Sequence, residues 1–131
     1  MPGTATESAR AGYADFNSQD FTRLLARMTE DFEWHEAPEI PGRKSCRGRE
    51  EFARYLRGFD QLWEVFSFDP RELIEAGDLL YAHVILRGRG KASAHDMELD
   101  IHHVWRLREG LFASMNAYLD EAEARAAAGL P

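Results

Sequence analysis

The stretch Met97–Tyr118 reads MELDIHHVWRLREGLFASMNAY, and it decides the fold. Leu99, Ile101, His103, Trp105 and Leu107 share one parity, so on a strand they share one face, and that face is apolar except for His103. Glu109-Gly110 carries a hairpin-turn signal, and Leu111–Tyr118 returns as the next strand. Half-apolar strands joined by tight turns belong to an antiparallel sheet with one face on a core. Working back toward the N-terminus, Leu79–Leu86 is β-rich, Gly77-Asp78 makes a turn, and Phe66–Ala76 is a strand interrupted by Pro70, which suits an edge position. A polar, glycine-bearing connection is expected over Gly88–Ala94.

Ahead of these strands the apolar period changes from two to about 3.6 residues. Glu7–Asn17 reads as a helix with a Thr4/Glu7 capping box and a stripe of Ala9, Tyr13 and Phe16. After a break at Asn17–Asp20, a second helix is expected over Asp20–Met28, with Phe21, Leu24, Leu25 and Met28 on one face. Phe32–Glu36 reads as a short strand, with Phe32, Trp34 and Glu36 on one side and Glu33 and His35 on the other. Ala37–Gly48, with Pro38, Pro41, Gly42 and Gly48, is expected to be irregular. The strongest helical stripe follows over Arg49–Trp63: Phe52, Tyr55, Leu56, Phe59, Leu62 and Trp63. Asp120 with Glu123 caps a short C-terminal helix that Gly129 ends. Helices gathered on one side of an antiparallel sheet define an α+β fold, and 131 residues without a linker or repeat read as a single domain, 1–131.

Composition narrows the partners. With 16 basic and 23 acidic residues the formal charge is −7, so the chain lacks the basic face that nucleic acid or an anionic membrane surface requires. No apolar run is long enough to span a bilayer, and Met1–Arg10 has no apolar core and carries Glu7, unlike a signal peptide. Cys46 is the only cysteine, which fits a reducing compartment. A cytoplasmic protein is expected.

Several local strings resemble the nuclear transport factor 2-like superfamily, and within it the SnoaL-like group. They are Asn17-Ser18-Gln19-Asp20-Phe21, Asp31–Pro38, Arg47-Gly48-Arg49-Glu50-Glu51-Phe52, Glu75-Ala76-Gly77-Asp78, His103–Gly110 and Ala117-Tyr118-Leu119-Asp120. The resemblance spans nearly the whole chain. It implies a cone-shaped roll: a curved antiparallel sheet, covered by three N-terminal helices, around a pocket for a small molecule. It also implies a homodimer through the outer sheet face, here Arg106, Val104, His102, Asn116 and Tyr118.

Function has to be read from the site, because this scaffold serves isomerases, cyclases, dehydratases, hydrolases and non-catalytic domains alike. Glu36 shares a face with Phe32 and Trp34, where lost hydration would raise its pKa toward a useful base or acid; the alternative is a strand-end carboxylate facing water. By resemblance Glu36 takes the position of the catalytic Asp of ketosteroid isomerases. His103 takes that of their protonated oxyanion-binding Asp; the alternative is a core histidine satisfied by a neighbour. The Tyr of the isomerase oxyanion hole aligns with Gly12, with Tyr13 one residue on and about 100° round the helix, so steroid isomerisation is not expected. Tyr13, Trp34, Tyr55, Phe59, Trp63, Trp105 and Met115 are expected to line the pocket or simply to fill the core. The inward or outward phase of His83 and Arg87 stays open. His102 and His103 are adjacent and point to opposite faces, so no metal site is expected, and no Gly-rich phosphate loop implies a cofactor. Two readings result. One is a cofactor-free isomerase, cyclase, dehydratase or hydrolase moving protons with Glu36 and His103 on a small apolar or carbonyl-bearing molecule. The other is a non-catalytic ligand-binding or dimerisation domain.

Overall fold

A computed structural model describes residues 4–40, 44–59, 63–92 and 96–131. The expected loop positions Pro41 and Gly42, helix positions 60–62 and connection positions 93–94 lie outside the described residues, as do residues 1–3. The elements run α1 (Ala5–Asn17), α2 (Phe21–Leu25), β1 (Met28–His35), β2 (Ser45–Arg47), α3 (Arg49–Arg57), β3 (Trp63–Ala76), β4 (Leu79–Gly90), β5 (Asp96–Arg108), β6 (Leu111–Tyr118) and α4 (Glu121–Ala127). The strands form one curved, unclosed six-stranded sheet in the order β2-β1-β6-β5-β4-β3. The pairs are antiparallel except β1 with β6, which run parallel.

Local signals set the starts of the helices. Thr4 Oγ1 accepts from Glu7 N at 3.1 Å, Asp20 Oδ1 from Arg23 N at 3.1 Å, and Asp120 Oδ1 from Ala122 N at 2.8 Å. The amide of Asn17 then grips the outer edge of β3: Nδ2 donates to Phe68 O at 2.7 Å, and Oδ1 accepts from Phe68 N at 2.9 Å. These two bonds fix α1 across the inner face of the sheet and satisfy part of an otherwise open strand edge. Pro70 sits on that edge strand beside a bulge, as its missing N–H requires.

Several expected boundaries are corrected. The second helix stops at Leu25, and Met28, expected in it, opens β1. There Phe112 N donates to Arg27 O at 2.9 Å and Met28 pairs with Phe112, so sheet pairing outcompetes the helical period. The third helix stops at Arg57, with Gly58 as its C-cap, and Trp63 opens β3 instead. The expected irregular loop contains β2, held by Glu33, Trp34 and His35. β4 runs on to Gly90 where a connection was expected, because Gly88 and Arg89 pair with β5.

Phe32, Leu80, Ala82, Val84, Leu86, Ile101 and Met115 form the inner core with the helices. The phase of β4 is thereby settled: Leu80, Ala82, Val84 and Leu86 face inward, and Tyr81, His83 and Arg87 face out. On the outer face α4 packs Ala124 and Ala128 on Tyr81 and Val104, with Tyr118 against them. No helix of the described residues is long and apolar enough to cross a membrane.

Candidate active site

Between the helices and the inner sheet face lies a cavity of about 410 Å³. Its wall includes all nine residues singled out from sequence: Glu36, His103, Tyr13, Trp34, Tyr55, Phe59, Trp63, Trp105 and Met115. The aromatic wall is continuous. Trp34 lies 4.6 Å from Tyr55, Tyr55 4.9 Å from Phe59, Phe59 4.9 Å from Phe66 and Phe66 5.0 Å from Trp63, centroid to centroid. Gly88 on the inward face of β4 makes room for Trp63, since a Cβ there would sit 3.1 Å from the indole ring. A smaller hollow of about 270 Å³ shares Phe16, Leu56, Phe59, Trp63 and Phe66 with the main cavity and adds Gln19, Phe21, Arg57 and Glu64.

Few polar groups enter this apolar space. Glu36 follows β1 directly. Its N–H donates to Lys44 O at 2.8 Å, which ties it to the start of β2, and its Oε1 accepts from Ala37 N at 3.0 Å. Burial raises its pKa above the ordinary carboxylate value, against the opposing pull of the Ala37 N–H and of Lys44. His35 and Glu33 point away, paired with each other at 2.9 Å.

His103 projects inward from the middle of β5 and is 3 % exposed. Burial, and secondarily the neighbouring His102, lower its pKa to about 3, so the imidazole is neutral at any physiological pH. Its Nδ1 lies 2.7 Å from Tyr13 Oη, and Trp105 Nε1–H donates to the same oxygen at 2.9 Å. The Tyr13 and His103 rings are nearly parallel at 13°, and Phe68 and Trp105 stand edge-on to the imidazole. Burial raises the pKa of Tyr13, which keeps its phenol proton.

Sequence reading placed Tyr13 in the wall but not in this hydrogen-bonded chain. The one available signal was its place in the Ala9-Tyr13-Phe16 stripe, which turns it to the sheet. Phe66 and Phe68 were also missed as wall residues, because edge-strand side chains give no clear alternation around Pro70. Among the described residues no group of three or more His, Cys, Asp and Glu is placed to hold a metal ion.

The SnoaL-like domain family matches residues 9–115. The chain belongs to the SnoaL-like family. Solved structures agree in fold. One is a nuclear transport factor 2-like protein of unknown function from Burkholderia pseudomallei (21% identity, TM-score 0.79, covering 96% of this chain and 97% of that one). Another is a hypothetical protein with a ketosteroid isomerase-like fold from Catenulispora acidiphila, in complex with trimethylamine (20%, 0.78, 98% and 96%). A third is TerC, co-crystallised with polyporic acid (22%, 0.78, 98% and 99%). No curated protein matches this SnoaL-like chain in sequence.

Proposed function

We propose that this SnoaL-like protein is a cofactor-free enzyme that moves a proton on a small hydrophobic carbonyl compound. What supports the reading is one observation: a carboxyl with a raised pKa and a neutral imidazole border the same apolar cavity. Glu36 is the base. Desolvation makes its carboxylate more basic, and it takes a proton from carbon next to the carbonyl. His103 donates a hydrogen bond to the carbonyl oxygen, where negative charge grows as the enolate forms. With a pKa near 3 it acts as a neutral donor and not as an imidazolium acid. The enolate can then be reprotonated elsewhere, close a ring on a second carbonyl, or expel a β-substituent. Isomerisation, cyclisation and dehydration are therefore the candidate reactions. The Catenulispora protein and TerC, each crystallised with a small molecule, are in keeping with a ligand on this fold.

The test is solvent deuterium exchange into small bicyclic ketones such as 1-tetralone, followed by a screen for turnover. Glu36→Gln is expected to lower the rate about 10²–10⁴-fold. An unchanged rate removes Glu36 as base, and binding without exchange leaves the non-catalytic reading. Homodimerisation through the outer sheet face belongs to the same reading. Because α4 takes up Val104 and Tyr118, the second copy would meet the surface around His83, Arg87 and Asp100. A monomer in sedimentation at micromolar concentration refutes it.

A further inference from the structure

A neutral imidazole has two forms, and a cavity reads them oppositely. With hydrogen on Nε2 the ring offers a donor, and with hydrogen on Nδ1 it offers a lone pair at Nε2 that repels a carbonyl oxygen. Something must choose between them.

The hydrogen bonds around Tyr13 do so. Trp105 Nε1–H has no lone pair, so it can only donate, and it donates to Tyr13 Oη at 2.9 Å. The phenol must in turn place its own hydrogen, and the acceptor within reach is His103 Nδ1 at 2.7 Å. An Nδ1–H would turn that contact around and leave the buried phenol hydrogen without an acceptor among the described residues. Leaving a buried donor unpaired costs its full desolvation penalty, which holds one tautomer. The remaining hydrogen of His103 then sits on Nε2. Nε2 has no protein partner among the described residues, yet no buried side-chain nitrogen or oxygen there is unpartnered. It therefore opens into the cavity that His103 lines.

We infer that the Trp105–Tyr13 pair is a positioning relay that fixes His103 as its Nε2–H tautomer, so that the cavity presents a neutral donor to an acceptor oxygen. Tyr13 acts through His103 and is not itself the group that meets the ligand. Resting on the proposed function, this narrows the substrate to ketones, aldehydes, enones or quinones, whose oxygen only accepts. Amines, which would need the lone pair, are disfavoured.

Histidine-selective ¹⁵N labelling and two-bond ¹H–¹⁵N correlation test the relay without substrate. Five histidines are present, and His103→Gln assigns the signal. The expected spectrum has a single His103 tautomer, protonated at Nε2, with Nδ1 shifted as an acceptor and unchanged from pH 8 to pH 5. In Tyr13→Phe, Nδ1 should move toward its free position and a share of the Nδ1–H form should appear. Trp105→Phe keeps the phenol and should give a smaller change of the same sign, which preserves the test if Tyr13→Phe does not fold. A wild-type His103 protonated at Nδ1 overturns the inference, as do ring nitrogens that neither variant moves. Because no turnover is measured, an intact relay in a protein without proton transfer would overturn only the proposed function.

Discussion

His102 and His103 are neighbours on β5 and point to opposite faces of the sheet, and each meets a tyrosine in the same way. Outside, Tyr81 Oη lies 2.9 Å from His102 Nδ1 with the rings 18° from parallel; inside, Tyr13 Oη lies 2.7 Å from His103 Nδ1 with the rings at 13°. The chemistry of the two pairs is shared, but their surroundings are not. The outer pair is sealed under α4, with the Arg125 guanidinium 5.0 Å from the Tyr81 ring centroid and His83 stacked 4.9 Å from His102. Burial and His83 lower the pKa of His102, while Glu121 and Asp100 pull it back. The inner pair stands on a cavity wall with no such carboxylate beside it among the described residues, and burial, then His102, lowers His103 to about 3. A tyrosine–histidine pair is thus a packing device on one face and a polarised donor on the other. The hollow and the missing countercharge make the difference.

Removing each phenol should separate the two most sharply. Tyr13→Phe leaves both Trp105 Nε1–H and His103 Nδ1 without their partner and should cost about 2–3 kcal/mol in urea unfolding, against about 1 kcal/mol for Tyr81→Phe. Equal losses would break the comparison. Acid should separate them next. A histidine whose folded pKa lies below its unfolded value of 6.5 contributes stability above pH 6.5 and loses it as pH falls toward the folded pKa of about 3. At pH 5 His103 alone should cost about 2 kcal/mol relative to neutral pH, and His103→Gln should flatten that slope while His102→Gln leaves most of it. Glu36 has the opposite sign. Its folded pKa is raised, so its contribution is complete below the unfolded value and is lost as pH rises through the folded one. Glu36→Gln should therefore raise the unfolding midpoint at pH 8 but not at pH 4, and a midpoint unmoved at pH 8 would show that the carboxyl is hydrated. The smallest effect is expected on the outer face. Arg125→Ala removes the contact over Tyr81 and its ion pairs with Glu121 and Glu72, all near the surface, and should lower the midpoint only slightly without touching the His103 signals.

How much of this was legible in the sequence follows from the range of each interaction. Caps act over three residues, and Thr4 and Asp120 could be read directly, whereas Asp20, read as the first residue of its helix, is the N-cap. Strand parity acts over two, and it placed His103 and Trp105 on the inner face and His102 and Arg106 off it. Parity and the family resemblance together nominated Glu36, and the cavity does reach it. Helix ends were read too far, at Met28 and at Trp63. Periodicity cannot say when a partner strand will claim the backbone.

Alone, then, the sequence determined the order of elements apart from the short β2, the α+β class, the family and which side chains could face inward, since each of these rests on neighbours within a few positions or on similarity along the chain. Only the tertiary structure decided that Tyr13, 90 residues from His103, would close on it beneath Trp105. That contact depends on how far the sheet curls and where Asn17 pins α1 to the β3 edge, and no local pattern encodes either.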